Sequence, residues 1–275
     1  MSKITLFSLF AFAFAGICCH GAEKNLISFA GCEDAAVLKK CGAGVKLSTV
    51  KPHSGKSSMC IEAARKFVYS EMIQIDPTKK YKFSIFFRAG DAAKTAPFFA
   101  GINSFDKNKK PIGGDNVRYF DGTLTTITAD VRKGESVLPV ENASRYKKGW
   151  NIAINAAEDC TDLPNRNLIG GVKAINGNEL TLQAPLKVDI PAGTKIRQHS
   201  GGWQYNLNHG GKAPADWKEY SVIINGRNDK RGENNQFWPG TCYIQVVIAA
   251  NMANNGAVLF ADDFQLTEIG PATKK

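Results

Sequence analysis

At 275 residues the chain has room for one large or two small domains, with a substantial core in either case. Its 35 Lys and Arg against 25 Asp and Glu leave a formal charge of +10, which attracts polyanions, but no aromatic-rich nucleic-acid motif accompanies it and nucleic acid is set aside. The sequence has no Cys-x-x-Cys, and its His residues lack ligand spacing, which argues against zinc.

The chain opens with Lys3, an apolar run from Ile4 to Phe14 and then small residues, the charge, length and order of a secretory signal peptide over residues 1–21. Cleavage is expected after Ala15 or near Gly21 and Ala22. Cys18 and Cys19 suggest a lipoprotein alternative, disfavoured because Ile17 or Cys18 stands where a small residue should precede the modified cysteine. The apolar run is well short of the ~20 residues that a bilayer span needs, and no later segment could cross a membrane. The sequence therefore predicts an exported, soluble protein that is secreted, periplasmic or at the cell surface. Five cysteines then remain: Cys32, Cys41, Cys60, Cys160 and Cys242. The first three are close in sequence, and one disulfide is expected among them, its pairing left open.

Beyond this leader, short alternating segments separated by Gly, Asn, Asp or Pro dominate, and helical periodicity is nearly absent. That pattern predicts an all-β protein. Strands are expected over residues 66–75, 81–87, 98–105, 217–224, 241–250 and 257–267. Tyr81, Phe83, Ile85 and Phe87 alternate with Lys82, Ser84, Phe86 and Arg88, which suits a strand with one face in a sandwich core. Two facing antiparallel sheets, a jelly-roll β-sandwich, would bury such strands. Between residues 123 and 202 the rhythm changes. Gly134, Gly149 and Gly193 each stand just ahead of a β-branched residue, and Asn176-Gly177 is a hairpin signal followed by Leu180 and Leu182. This block is read as a small β-barrel-like domain inserted in a loop of the jelly roll, which is itself formed by 24–122 and 203–269.

Both ends of the folded region place carboxylates among apolar residues: Glu33 after Asn25-Leu26-Ile27, and Asp262-Asp263 within Phe260-Ala261-Asp262-Asp263-Phe264-Gln265-Leu266. Together they would make an oxygen site for a hard cation, and the turn Ser54-Gly55-Lys56-Ser57-Ser58 adds backbone carbonyls at Gly55 and Lys56. These pieces, with Trp217-Lys218-Glu219-Tyr220 between them, occur in an order that resembles bacterial carbohydrate-binding modules of the families numbered four and nine. The resemblance covers roughly residues 24–119 and 203–269. Cys32 departs from it, standing where an aromatic is usual, as does the block 123–202. The resemblance implies a structural calcium that ties the first and last strands through Glu33, Asp262 and Asp263, a core position for Trp217, and a non-catalytic role in binding carbohydrate.

For ligand contact, Trp203 and Tyr205 lie two apart and share a strand face, with Gln204 and Asn206 on the other. Tyr119 and Phe120 precede the inserted block and Trp203 follows it, so the insert should draw these aromatics together. Flat aromatics bury the apolar faces of sugar rings while polar side chains fix the hydroxyls. The expected polar partners are Arg118, Gln204, Asn206, His209 and Asn251. The partner expected is a polysaccharide or glycan, with uronate or sulfated chains drawn by the positive charge. The competing reading has the aromatics filling the seam between the two units. Trp238, before Pro239-Gly240, reads as a loop-side packing residue. For catalysis no Gly-x-Ser-x-Gly motif occurs; Tyr205, His209 and Arg118 could be assembled into a polysaccharide lyase, and a glycosidase would need a pair of carboxylates that the sequence, with 25 acidic residues, does not single out. A structural or adhesive surface protein is the third class considered.

Overall fold

The computed structural model describes residues 24–62 and 64–273, so the signal-peptide reading lies outside the described residues. Among these residues no helix is long and apolar enough to cross a membrane. The chain is nearly all β, and the alternation seen in the sequence decides which face each strand buries. Tyr81, Phe83, Ile85 and Phe87 are all at most 2% exposed. They lie on the strand Lys79–Ala89, at the heart of an antiparallel sheet. Its order is Val45–Ser48, Ser58–Ile61, Leu259–Pro271, Lys79–Ala89 and Lys218–Asn225.

A second sheet runs Gln204–Lys212, Pro97–Phe105, Tyr243–Ala250 and Lys66–Tyr69, with the short strands Ile73–Gln74 and Pro111–Ile112 at its margins. The two sheets face each other as a β-sandwich over one core, in which the rings of Phe87 and Phe98 meet at 4.7 Å and Tyr220 closes on both edge-on. The segment expected as one strand over 66–75 is broken at Ser70. Its hydroxyl accepts from the Val246 amide (2.9 Å) and donates to the Glu71 carbonyl (2.7 Å), displacing the regular ladder.

The first described segment lies beside the last strand. Leu26 N donates to Leu266 O, Phe264 N to Ala30 O, and the Asn25 carboxamide bonds both Phe264 O and Leu266 N. In the last strand a bulge falls between Asp262 and Gln265, with Asp263 at φ 47°. The extra residue lets Ala261 and Phe264 both reach the core while the two aspartates turn away from it.

Six strands between Thr125 and Gln198 form a third sheet with its own core of Ile127, Leu138, Ile152, Val172, Leu180 and Ile196. The sheet curls. Its outermost strands, Thr125–Thr126 and Val137–Pro139, meet through an antiparallel bridge from Ile127 to Val140. The hairpin signalled by Asn176-Gly177 forms with Asn176 opposite Glu179, so Gly177 and Asn178 are its loop. The chain leaves and rejoins the sandwich through adjacent antiparallel segments: Tyr119 bridges His199, Phe120 N donates to Gln198 O, and Ser200 N to Arg118 O.

Two expectations fail for reasons of facing. Cys32 and Cys60 are free thiols, so the bridge expected among Cys32, Cys41 and Cys60 is not formed. Cys32 and Cys41 sit in the sandwich core, whereas Cys60, one residue along from the core residue Met59, turns to the other side of its strand. Burial pushes the Cys32 thiol far up, and that of Cys41 up to about 11. Trp217 is not a core residue. The pairing of Lys218 with Phe87 sets it level with Arg88 on the outer face, where its ring lies 5.2 Å from that guanidinium and Nε1 donates to Lys51 O.

Candidate functional site

The most open aromatic surface of the sandwich lies on the outer face of the second sheet. Strand pairing sets Phe67, Ala249 and Phe99 in one row, with His209 beyond Phe99, and Tyr69, Val247 and Gly101 in the next. Ala249 and Val247 are fully covered although they face away from the core, because larger neighbours rise on both sides. Phe67 and Tyr69, each about 40% exposed, stack in parallel on one side. Phe99, Tyr205 and His209 form the other, with ring centroids 5.0 to 6.1 Å apart. Gly101 lets the neighbouring strand close in, since a Cβ there would lie 2.6 Å from Tyr205 Cα.

The result is a groove of about 460 Å³ lined by Arg65, Phe67, Phe99, Trp203, Tyr205, His209 and Met252. Trp203, 60% exposed, stands at one end. The lining holds no carboxylate, and Arg65 extends over Phe67 at 5.9 Å. A larger polar cavity of about 650 Å³ beside Arg227, Asn228 and Lys230 has no aromatic in its lining.

The groove thus gathers Trp203, Tyr205 and His209 from the predicted set, and adds Arg65, Phe67, Phe99 and Met252, which sequence reasoning missed. The alternation of Phe67 and Tyr69 about the core residue Val68 was the available signal for one wall. The other predicted residues lie elsewhere. Gln204 is buried, and its Nε2 donates to the carbonyls of Glu233, Asn234 and Gln236, holding that loop to the sheet. Asn251 is buried in a turn at φ 54° and donates to Ala64 O. Asn206 keeps both carboxamide atoms buried without a hydrogen-bond partner among the described residues.

Tyr119 and Arg118 belong to the seam between the sandwich and the six-stranded unit. Arg118 lies over Trp238 at 5.0 Å and donates to Gly232 O and Asn234 Oδ1. Trp238 itself packs with Ile112 and Val117. The Tyr119 ring has the guanidinium carbons of Arg197 and Arg231 at 4.3 and 5.0 Å, and its hydroxyl is 3.3 Å from Cys160 Sγ. Burial first, then that thiol, push Tyr119 up to about 12. Arg197 Nη2 donates to both carboxylate oxygens of Asp162, at 2.8 and 3.0 Å, in a buried ion pair. Arg197 Nε also donates to His199 Nε2, which fixes the imidazole as its neutral Nδ1–H form, donating to Asp115 O at 2.8 Å. Burial accordingly lowers His199 to about 4.

The acidic residues of the two ends converge on one loop. Glu33 accepts from the amides of Lys56 (2.7 Å) and Ser57 and from the Ser57 hydroxyl. Gly55 permits this, since a Cβ would sit 2.1 Å from Glu33 Oε1. Asp262 accepts from the amides of His53 and Ser54, while Asp263 meets the His53 ring at 2.5 Å and the Ser54 hydroxyl at 2.6 Å. The Lys56 amide is the main influence lowering Glu33, and burial is the main influence raising Asp262. In donor type these three carboxylates suit a hard cation. In arrangement they face N–H and O–H donors, and among the described residues no group of three or more His, Cys, Asp or Glu is placed to hold an ion.

The structure is similar to the xylan-binding CBM22-1 domain of Paenibacillus barcinonensis Xyn10C, at 7% identity over 83% of this chain and 82% of that one, with a TM-score of 0.36. It is also similar to Family 16 Carbohydrate Binding Module-2, at 12% identity over 89% and 100% of the two chains and a TM-score of 0.35. A third is TmCBM61, solved with beta-1,4-galactotriose, at 12% identity over 90% and 99% and a TM-score of 0.32. None of these belongs to families four or nine, and likeness at such values does not say what this chain binds. No protein-family profile and no curated protein matches the chain.

Proposed function

We propose that this is an exported, non-catalytic protein that binds a polysaccharide in the groove on the second sheet. The observation that carries the reading is the pair of aromatic walls, open to solvent, over a floor of Ala249, Val247 and Gly101. Rings exposed in this way lose apolar contact with water only when something flat covers them, and a sugar face does so while its hydroxyls stay hydrated at the rim. Arg65 and the absence of carboxylates in the lining extend the proposal to acidic glycans. Catalysis is not proposed, because burial raises the Tyr205 phenol, away from the phenolate that proton abstraction needs, and Arg118 is engaged at the seam. Calcium held by Glu33, Asp262 and Asp263 is a proposal that requires the ion to displace the N–H and O–H donors of the 53–57 loop from these carboxylates.

Affinity electrophoresis through gels containing neutral and acidic polysaccharides tests the reading. Retardation by at least one chain, weakened about tenfold or more in Trp203→Ala, is expected. Free migration in every gel would remove the proposal. For calcium, a melting temperature that rises with the ion and falls with chelator is expected, and no movement with either would remove the ion from the account.

A further inference from the structure

The groove does not stop at the sandwich. Trp203 is preceded by Gly201-Gly202, and on the far side of this glycine pair stands Trp150, 40% exposed, carried by the six-stranded unit. A Cβ on Gly201 would lie 3.8 Å from Trp150 Cζ3, so the indole rests against bare backbone there, and beside Gly202 the nearest side-chain atom is Arg118 Nη1, 3.0 Å from where a Cβ would stand. Trp150 is not a loosely held residue. Its carbonyl accepts from Val172 N (3.1 Å) and Gln198 Nε2 (3.4 Å), and its ring meets Phe120 edge-on at 5.6 Å. Lys147 Nζ stands 4.5 Å from the centre of the Phe120 ring, which places a cation beside this second aromatic surface. Exposing two indoles on either side of a bare glycine pair leaves apolar area uncovered on a unit that otherwise has a complete core.

We propose that Trp150 is a second stacking platform, continuous with the groove through Gly201 and Gly202, so that the ligand is a polysaccharide segment long enough to lie on both units. This rests on the reading of the groove as a carbohydrate site and specifies the ligand's length. The six-stranded unit then adds subsites, and Lys147 supplies a positive charge to a uronate or sulfate on the same chain. Short oligosaccharides reach only the Trp203 end.

The test compares wild type, Trp150→Ala, Trp150→Phe and Trp203→Ala. The probes are gels containing xylan, β-1,4-galactan or polygalacturonate, followed by calorimetry with di- to octasaccharides of whichever chain retards the protein. Trp150→Ala is expected to weaken polymer and long-oligosaccharide binding about tenfold while leaving di- and trisaccharide binding unchanged. Trp150→Phe is expected to keep most of the affinity, which separates loss of a ring from loss of fold, and Trp203→Ala to weaken binding at every length. Polymer binding by Trp150→Ala equal to wild type, with Trp203→Ala defective, would overturn the extension and leave the groove standing. Equal loss at all lengths in Trp150→Ala would also overturn it. Free migration of wild type in all three gels would overturn the groove reading itself, and the extension with it.

Discussion

The seam around Tyr119 and the groove around Tyr205 are built from the same kinds of residue, an aromatic with Arg and His close by, and they differ in what the polar atoms do. At the seam Arg197 is bound to Asp162 and His199, His199 to Asp115, and the Tyr119 ring lies between two guanidinium groups. In the groove Arg65 lies over Phe67, His209 and Tyr205 meet through ring edges and faces, and no carboxylate joins the lining. The lesson is that residue type nominates a surface, while the supply of internal partners decides whether it is packing or a place for a ligand.

The comparison can be broken most directly at Asp162. Asp162→Ala would strand the buried Arg197 guanidinium, and a loss of about 3–5 kcal/mol is expected by chemical denaturation. A loss below about 1 kcal/mol would mean the seam is not held by this pair. Acid should act next. The folded pKa of His199, about 4, lies below its ordinary 6.5, so its contribution is complete above pH 6.5 and is lost as pH falls toward 4. A decline on the order of 3 kcal/mol across that window is expected in wild type and absent in His199→Gln. The groove should behave in the opposite manner. Trp203→Ala and Arg65→Ala are expected to move stability by no more than about 0.5 kcal/mol, their effect falling on glycan binding. A large stability loss in either would make the groove wall a packing element. The smallest effect is expected at Glu33, whose pKa is lowered from 4.5, so its contribution is present above that pH and is lost as pH falls further. Glu33→Gln should flatten the difference in melting temperature between pH 6 and pH 3, and an unchanged slope would show that the 53–57 loop is held by the aspartates alone.

Much of the fold was legible because its signals are local. The alternation of Tyr81, Phe83, Ile85 and Phe87 reports a one-sided strand whatever its partners, and Asn176-Gly177 reports its hairpin from two turn residues alone. The pair Trp203 and Tyr205 was legible for the same reason. Phe67, Tyr69 and Phe99 were not, because they join the groove only through pairing with Tyr243–Ala250, across more than a hundred residues of chain. Gln204 lies, as the alternation implies, on the face opposite Trp203 and Tyr205, paired with the core residue Ile102; its choice as a ligand partner failed because the carbonyls that take up its carboxamide lie about thirty residues further along the chain. Trp217 falls outside the core because the Lys218–Phe87 pairing, which no local motif encodes, sets it level with Arg88 on the outer face.

Where the chain departs for the six-stranded unit at Phe120, it comes back beside itself at Gln198. Seen from the sandwich, everything between those residues occupies the position of a hairpin tip. No strand of the two sandwich sheets belongs to the six-stranded sheet, and side-chain ties such as Arg166 to Asp106 and to Pro111 O are what the sandwich would lose with it. The proposed binding surface would then be the one property of the molecule that depends on both units, while each keeps a core of its own.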